Sequence, residues 1–174
     1  MIIYAKGDGM KIRKTMLQDI NSVIVIIEEA KQYFKEQGIN QWQDGYPNRE
    51  SLTNDINNNE GYVLEENGEV LATCMISIKE DPTYQYIEDG AWINSGLYAV
   101  IHRVATRSDQ KGKGLASLFI KEIKNIHPTI KSIRVDTHPD NKSMQQVFIK
   151  NEFSYCGTIY LANGDKRMAY EKDV

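Results

Sequence analysis

Gly112 and Gly114 sit among three cations, Arg107, Lys111 and Lys113, in the run Val104-Ala-Thr-Arg-Ser-Asp-Gln-Lys-Gly-Lys-Gly-Leu-Ala116. Glycines let backbone N–H groups approach a ligand, and the first turn of a helix carries partial positive charge. A run of this kind can therefore bind an anion, above all a phosphate. The three cations outweigh Asp109 and add to that field. A glycine pair ahead of a helix also serves ordinary turns, so the surrounding elements have to decide. Residues 97–104 are apolar and read as a buried strand. Leu115, Leu118, Phe119 and Ile123 recur at helical spacing through residue 126.

A chain of 174 residues with 41% hydrophobic and 26% charged content fits one soluble globular domain, residues 10–174, preceded by a nine-residue extension, 1–9. The net charge of −3 argues against a nucleic-acid partner, which asks for a basic footprint, and the basic loop stands out against that acidic background. Cys74 and Cys156 are too few for a disulfide framework and read as reduced, which points to the cytoplasm. No apolar run has the length of a membrane span, so no membrane partner is expected.

The spacing predicts a strand at 11–14 and then a helix over 16–35, with Thr15 and Gln18 as a capping box and Gly38 as the stop. Its β-branched centre, Val23-Ile-Val-Ile-Ile27, leaves a strand reading open there. The 41–47 segment, with Gln41, Trp42 and Tyr46, is a loop. Trp42 either plugs the core edge or faces a substrate. Asn48 caps a second helix over 49–57, and Asn67-Gly68 joins two strands as a hairpin. Residues 80–96 are either a strand arm or a lid. A strand at 131–137, a helix beginning at Asp140 or Asn141, and a hairpin around Asn163-Gly164 complete the chain. The expected fold is α/β in the α+β sense, with a single mixed, mostly antiparallel sheet flanked by helices and one crossover at the glycine loop.

Three motif classes compete for that loop. A P-loop needs Ser or Thr after Gly-Lys, and Gly114 stands there instead. A dinucleotide fingerprint, Gly112-x-Gly114-x-x-Ser117 with Asp136 downstream, needs a tight turn after the strand, but residues 106–111 intervene. The third class fits in two places. Strand and loop resemble the acetyl-CoA motif of the GCN5-related N-acetyltransferase (GNAT) family, with Lys111-x-x-Gly114-x-Ala116 matching its Arg/Gln-x-x-Gly-x-Gly/Ala. Downstream, Val135-Asp-Thr-His-Pro-Asp-Asn141 through Asn151-Glu-Phe153 resembles the family's strand–Asn–helix–Gly-Phe segment, with Glu152 in place of the Gly.

The resemblance implies an acyl-CoA N-acyltransferase fold. It also implies an acetyl-CoA-dependent N-acetyltransferase acting by direct attack on a primary amine of a small molecule, amino acid or peptide, with acetyl-CoA and no metal. The coenzyme pyrophosphate would lie on Lys111, Gly112, Lys113, Gly114, Leu115 and Ala116. The pantetheine arm would lie along Val104, Ala105 and Thr106, and Asn141 would hydrogen-bond the coenzyme. Gln41, Trp42 and Tyr46 would line the acceptor pocket, together with the arm from Tyr84 to Trp92, where Glu88 and Asp89 could attract a cationic amine. The Tyr that often serves as acid is Phe148 here, which leaves Tyr155 and Tyr160 as candidates by proximity. Where a Glu is frequent on the central strand stands His102, a group that titrates near pH 6.5 and could act as base unless it is packed or paired with Asp136 or Arg103. His138 is the second candidate base. The hydrophobic C-terminal strands could pair in a homodimer. A catalytically silent acyl-CoA-binding module and a nucleotide-dependent oxidoreductase are the alternatives.

Overall fold

The structure, a computed structural model, describes residues 2–4 and 9–174. They fall into two compact units: residues up to Ile76 with Arg103–Glu122, and Ser77–His102 with Ile123–Val174.

In the first unit β1 (Ile2–Tyr4), β2 (Met10–Lys14), β3 (Gly61–Glu66) and β4 (Glu69–Ser77) pair antiparallel in chain order. Asn67 and Gly68 both take left-handed backbone (φ 50° and 86°), as a two-residue hairpin turn requires. Helix α1 (Ile20–Glu36) buries Ile20, Val23, Ile26, Ile27, Ala30 and Phe34 and exposes Val25. The 3.6-residue period thus overrides the β-branched run. Its apolar face meets Leu52 of α2 (Arg49–Asn57), Val63, Val70 and Ala105 in one core cluster.

The entry to α1 differs from the expected capping box. The chain turns through a single 3-10 turn, Leu17–Asp19, and Asp19 takes the capping role by accepting the Met16 N–H at 2.7 Å. Thr15 is buried, and its N–H bonds Gly61 O. Asp19 was the better candidate physically, because its two oxygens also accept a fork from Arg13 (2.6 and 2.9 Å).

In the second unit the order is β5 (Tyr98–Thr106, whose last four residues belong to the first unit), β6 (Ser132–Thr137), β8 (Lys166–Asp173), β7 (Ser154–Tyr160). The β5–β6 pair is parallel and the others antiparallel. Between β5 and β6 the chain forms α3 (Leu115–Ile126), and between β6 and β7 it forms α4 (Lys142–Lys150). This is the mixed, mostly antiparallel arrangement expected. Residues 78–97 form an arm that is stitched down, unlike a lid. Glu88 and Thr158 exchange both backbone hydrogen bonds at 2.8 Å, and a Cβ added at Gly90 would lie 2.0 Å from Cys156 O. Glu171, fully buried, accepts from the N–H groups of Ile93 and Asn94, from Ser132 and from Arg134, and so anchors the end of the arm.

Candidate active site

Strand β5 pairs with β6 from Tyr98↔Ser132 to Val100↔Arg134, and there the pairing stops. β6 continues to Thr137, bonded to β8 throughout, and β5 continues to Thr106. Residues 135–137 of β6 thus lack a β5 ladder partner, and ladder groups of that kind can take an extended ligand, much as an exposed sheet edge does.

His102 stands two residues beyond the last paired residue of β5. Its Nε2 lies 2.7 Å from Asp81 Oδ2, and its Nδ1 lies 3.7 Å from Asp136 Oδ1. The Asp136 oxygen in turn accepts the Tyr84 hydroxyl at 2.7 Å. Burial would raise the Asp81 carboxyl, but hydrogen bonds from His102 and from the Thr83 hydroxyl and N–H outweigh it and hold the group down at about 2. Asp81 is therefore an ionised acceptor. In the neutral imidazole it draws the ring proton to Nε2, which leaves the lone pair on Nδ1, facing Asp136. Burial keeps the Tyr84 phenol far above its ordinary range, so that hydroxyl remains a donor. Nothing in the sequence singled out Asp81. The one local signal is Asp-Pro-Thr at the start of a 3-10 turn (Pro82–Tyr84), which Asp81 caps through Thr83 N. Of the arm's aromatics, Tyr84 is buried and Trp92 stacks on it, so they line the core rather than a pocket.

His138 has a different task. Its Nδ1 accepts the Asp140 N–H at 3.1 Å, and burial, with Arg167 nearby, pushes its pKa down. A neutral His138 so held carries its proton on Nε2 and has no free lone pair, which makes it a turn residue and removes it as a base. Asn141 is buried and caps α4, its Oδ1 accepting from Met144 N and Ser143 Oγ. Phe148 packs in the core on Phe153 and Tyr170. Tyr155 leans on Tyr170, and the Tyr160 hydroxyl donates to Glu88.

In the first unit, Val104 and Thr106 are half-buried and Ala105 joins the core. The loop then makes a 3-10 turn, Ser108–Gln110, before Gly112 and Gly114 (φ 79° and 77°). No atom comes within 4 Å of a Cβ added at either glycine, so the backbone conformation demands them and their outer side is open. The N–H groups of Leu115 and Ala116, in the first turn of α3, have no acceptor within the helix. The side-chain charge is less available than expected. Asp109 and Glu69 hold Arg107, and Lys111 sits 3.5 Å above the Tyr33 ring beside Glu29 and Glu36. Lys113 reaches Gln110. Backbone and helix start contribute to the anion field beside Lys113, whose partner Gln110 is neutral.

Trp42 is half-buried, packs edge-on against Phe34 and lies against the core cluster of α1. Gln41 is half-buried, and its carbonyl accepts from Gln43. Tyr46, before the cis-peptide to Pro47, is partly exposed, and its hydroxyl accepts from Arg103.

Residues 26–153 match the family model of the acetyltransferase (GNAT) family. A search of curated proteins finds no match. Among solved structures, a GNAT-family acetyltransferase from Streptococcus agalactiae 2603 is 32% identical, with 99% of this chain and 98% of that one covered and a TM-score of 0.90. A GNAT-family acetyltransferase from Listeria monocytogenes 4b F2365 is 20% identical, covers both chains in full and scores 0.74. The paia N-acetyltransferase of Thermoplasma acidophilum, solved with coenzyme A, is 16% identical over 95% and 99% of the two chains, with a TM-score of 0.69. With most of its length matched by the family model and a full-length relative at 32% identity, the chain belongs to the GNAT acetyltransferase family.

Proposed function

We propose that the protein transfers the acetyl group of acetyl-coenzyme A to a primary amine by direct attack. The observation that carries this reading is the end of the β5–β6 ladder at Val100, followed along the chain by a glycine loop and a helix start. Those residues suit the coenzyme. Residues 104–106 offer strand backbone to the pantetheine amides, and within 111–116 the N–H groups of Gly112, Gly114, Leu115 and Ala116 are offered to the pyrophosphate, those of Lys111 and Lys113 being bonded to the Ser108 and Gln110 carbonyls. When bound, the coenzyme supplies an activated thioester; its thiol, with an unperturbed pKa of about 8.5, leaves with little acid help. That relaxes the demand for a proton donor where Phe148 stands.

What the chain supplies is the base. An amine arrives as an ammonium ion and must lose a proton before it can attack. Neutral His102, its tautomer set by Asp81, presents Nδ1 for that proton, and Asp136 Oδ1 lies 3.7 Å from that nitrogen. Two carboxylates around the imidazole suit a small cationic amine, an amino acid or a peptide N-terminus. A second reading, a silent coenzyme-binding module, draws on Phe148, which puts an apolar ring where a hydroxyl would serve. One experiment separates the two: titration calorimetry with coenzyme A, followed by a thiol-release assay across a panel of amines. We expect binding and turnover. Binding without thiol release from any amine supports the silent module, and no binding at all sinks both readings.

A further inference from the structure

Arg103 holds a left-handed backbone (φ 54°) in the interior of β5. Glycine, asparagine and aspartate take that conformation readily, whereas an arginine in a strand does so only when its surroundings compel it. A single left-handed residue also re-aims the strand beyond it, and such breaks gather beside active sites. Here the compelling contacts are visible. The guanidinium makes a two-pronged hydrogen bond to the carboxylate of Asp55 on α2, Nε to Oδ2 at 2.9 Å and the terminal nitrogen to Oδ1. Its other terminal nitrogen donates to the Tyr46 hydroxyl. The Arg103 side chain is 12% exposed and that of Asp55 10%, so the pair is shielded from water and from salt.

We propose that Asp55 and Tyr46 clamp Arg103, and that the clamp's function is to hold the break in β5 that aims residues 104–106 at the acyl donor. Asp55, Tyr46 and Arg103 are positioning residues for donor binding. This rests on the acetyl-transfer reading above. The guanidinium touches no ligand; it fixes a backbone angle. Glycine at position 103 should therefore replace the whole device, because it adopts φ 54° without being held.

The test compares Arg103→Ala with Arg103→Gly in the full chain, each shown folded by circular dichroism at the assay temperature. Coenzyme A affinity is measured by calorimetry, and backbone carbon shifts of His102 and Val104 by NMR without ligand. Alanine keeps the conformational penalty and loses the clamp. We expect coenzyme A binding about tenfold weaker and both sets of shifts displaced. Glycine should stay within about threefold of the parent, with native shifts. Asp55→Asn, which keeps the shape and drops the charge, should fall between them. The proposal is overturned if glycine binds as weakly as alanine, since the guanidinium itself would then serve the ligand. It is equally overturned if alanine binds like the parent. A parent chain that fails to bind coenzyme A defeats the acetyl-donor reading instead, and the shifts still decide whether the clamp holds the strand.

Discussion

A carboxylate 2.7 Å from Nε2 decides which nitrogen of His102 is basic. With Asp81 ionised, the neutral ring keeps its proton on that side, and in the proposed reaction Nδ1 would take the proton of an incoming ammonium. Asparagine at position 81 removes the decision, because its amide can donate to Nε2 as readily as it can accept from it. General-base catalysis is worth roughly 100- to 10,000-fold. His102→Ala should accordingly lower kcat by about 100-fold or more, and Asp81→Asn by about tenfold, with coenzyme A affinity kept in both. Steady-state thiol release beside calorimetry checks this, and a kcat within twofold of the parent in His102→Ala would reduce the histidine to packing. His102 was legible in the sequence as a titratable group on an apolar strand. Asp81 was not, because it precedes His102 by 21 residues in a segment without periodicity, where Glu80, Glu88 and Asp89 are equally acidic. Only the folded arm shows that Glu88 is spent on Tyr160.

Three helices end in the same way, and the residues at their ends explain one departure from the family pattern. After α1, Ile39 N bonds Phe34 O and Gly38 N bonds Lys35 O, with Gly38 left-handed (φ 68°). After α2, Asn59 (φ 57°) holds that position, with Glu60 N bonded to Asp55 O. After α4 it is Glu152 (φ 66°), with Phe153 N on Phe148 O and the two rings 5.6 Å apart. This is the Schellman pattern with its hydrophobic contact, and it prefers glycine at the left-handed position. Glu152 is strained by about 1 kcal/mol relative to glycine. Its exposed ion pair with Lys172 (3.1 Å) returns only a few tenths of a kcal/mol. Glu152→Gly should therefore raise stability by about 0.5–1 kcal/mol at unchanged turnover. A lower urea midpoint would mean that the Lys172 pair outweighs the backbone. Stops and caps such as Gly38, Asn48 and Asn67-Gly68 were legible because each acts within four residues. The start of α1 was not: Thr15 and Gln18 matched a local pattern, whereas Asp19 won through Arg13, a partner on another element.

At the scale of the molecule, strand order was the least legible feature. The C-terminal hairpin could be read, but its insertion, with β8 beside β6 and β7 outermost, depends on which ladder forms in three dimensions. Charge pairing, equally non-local, leads to a prediction for the whole chain. Arg13 joins Asp19 and Glu65 in the first unit, at 2.6 Å to each, and His102 joins Asp81 in the second. For Asp19 burial opposes ionisation but Arg13 and the Met16 N–H outweigh it, and Lys11 and Arg13 draw Glu65 down likewise. All three carboxyls are thus depressed in the folded state. A depressed carboxyl adds stability that is fully present above its unfolded pKa and is lost as pH falls through the folded one. For Asp81 that window runs from 3.8 down to about 2, and because the group is partly exposed, solvent screening discounts its contribution to about 1 kcal/mol. Urea midpoints should be nearly level from pH 7 to about 4.5 and fall steeply below 4. Asp81→Asn should start lower at pH 7 and converge on the parent by pH 2, whereas parallel curves would show that Asp81 is not held ionised by the fold.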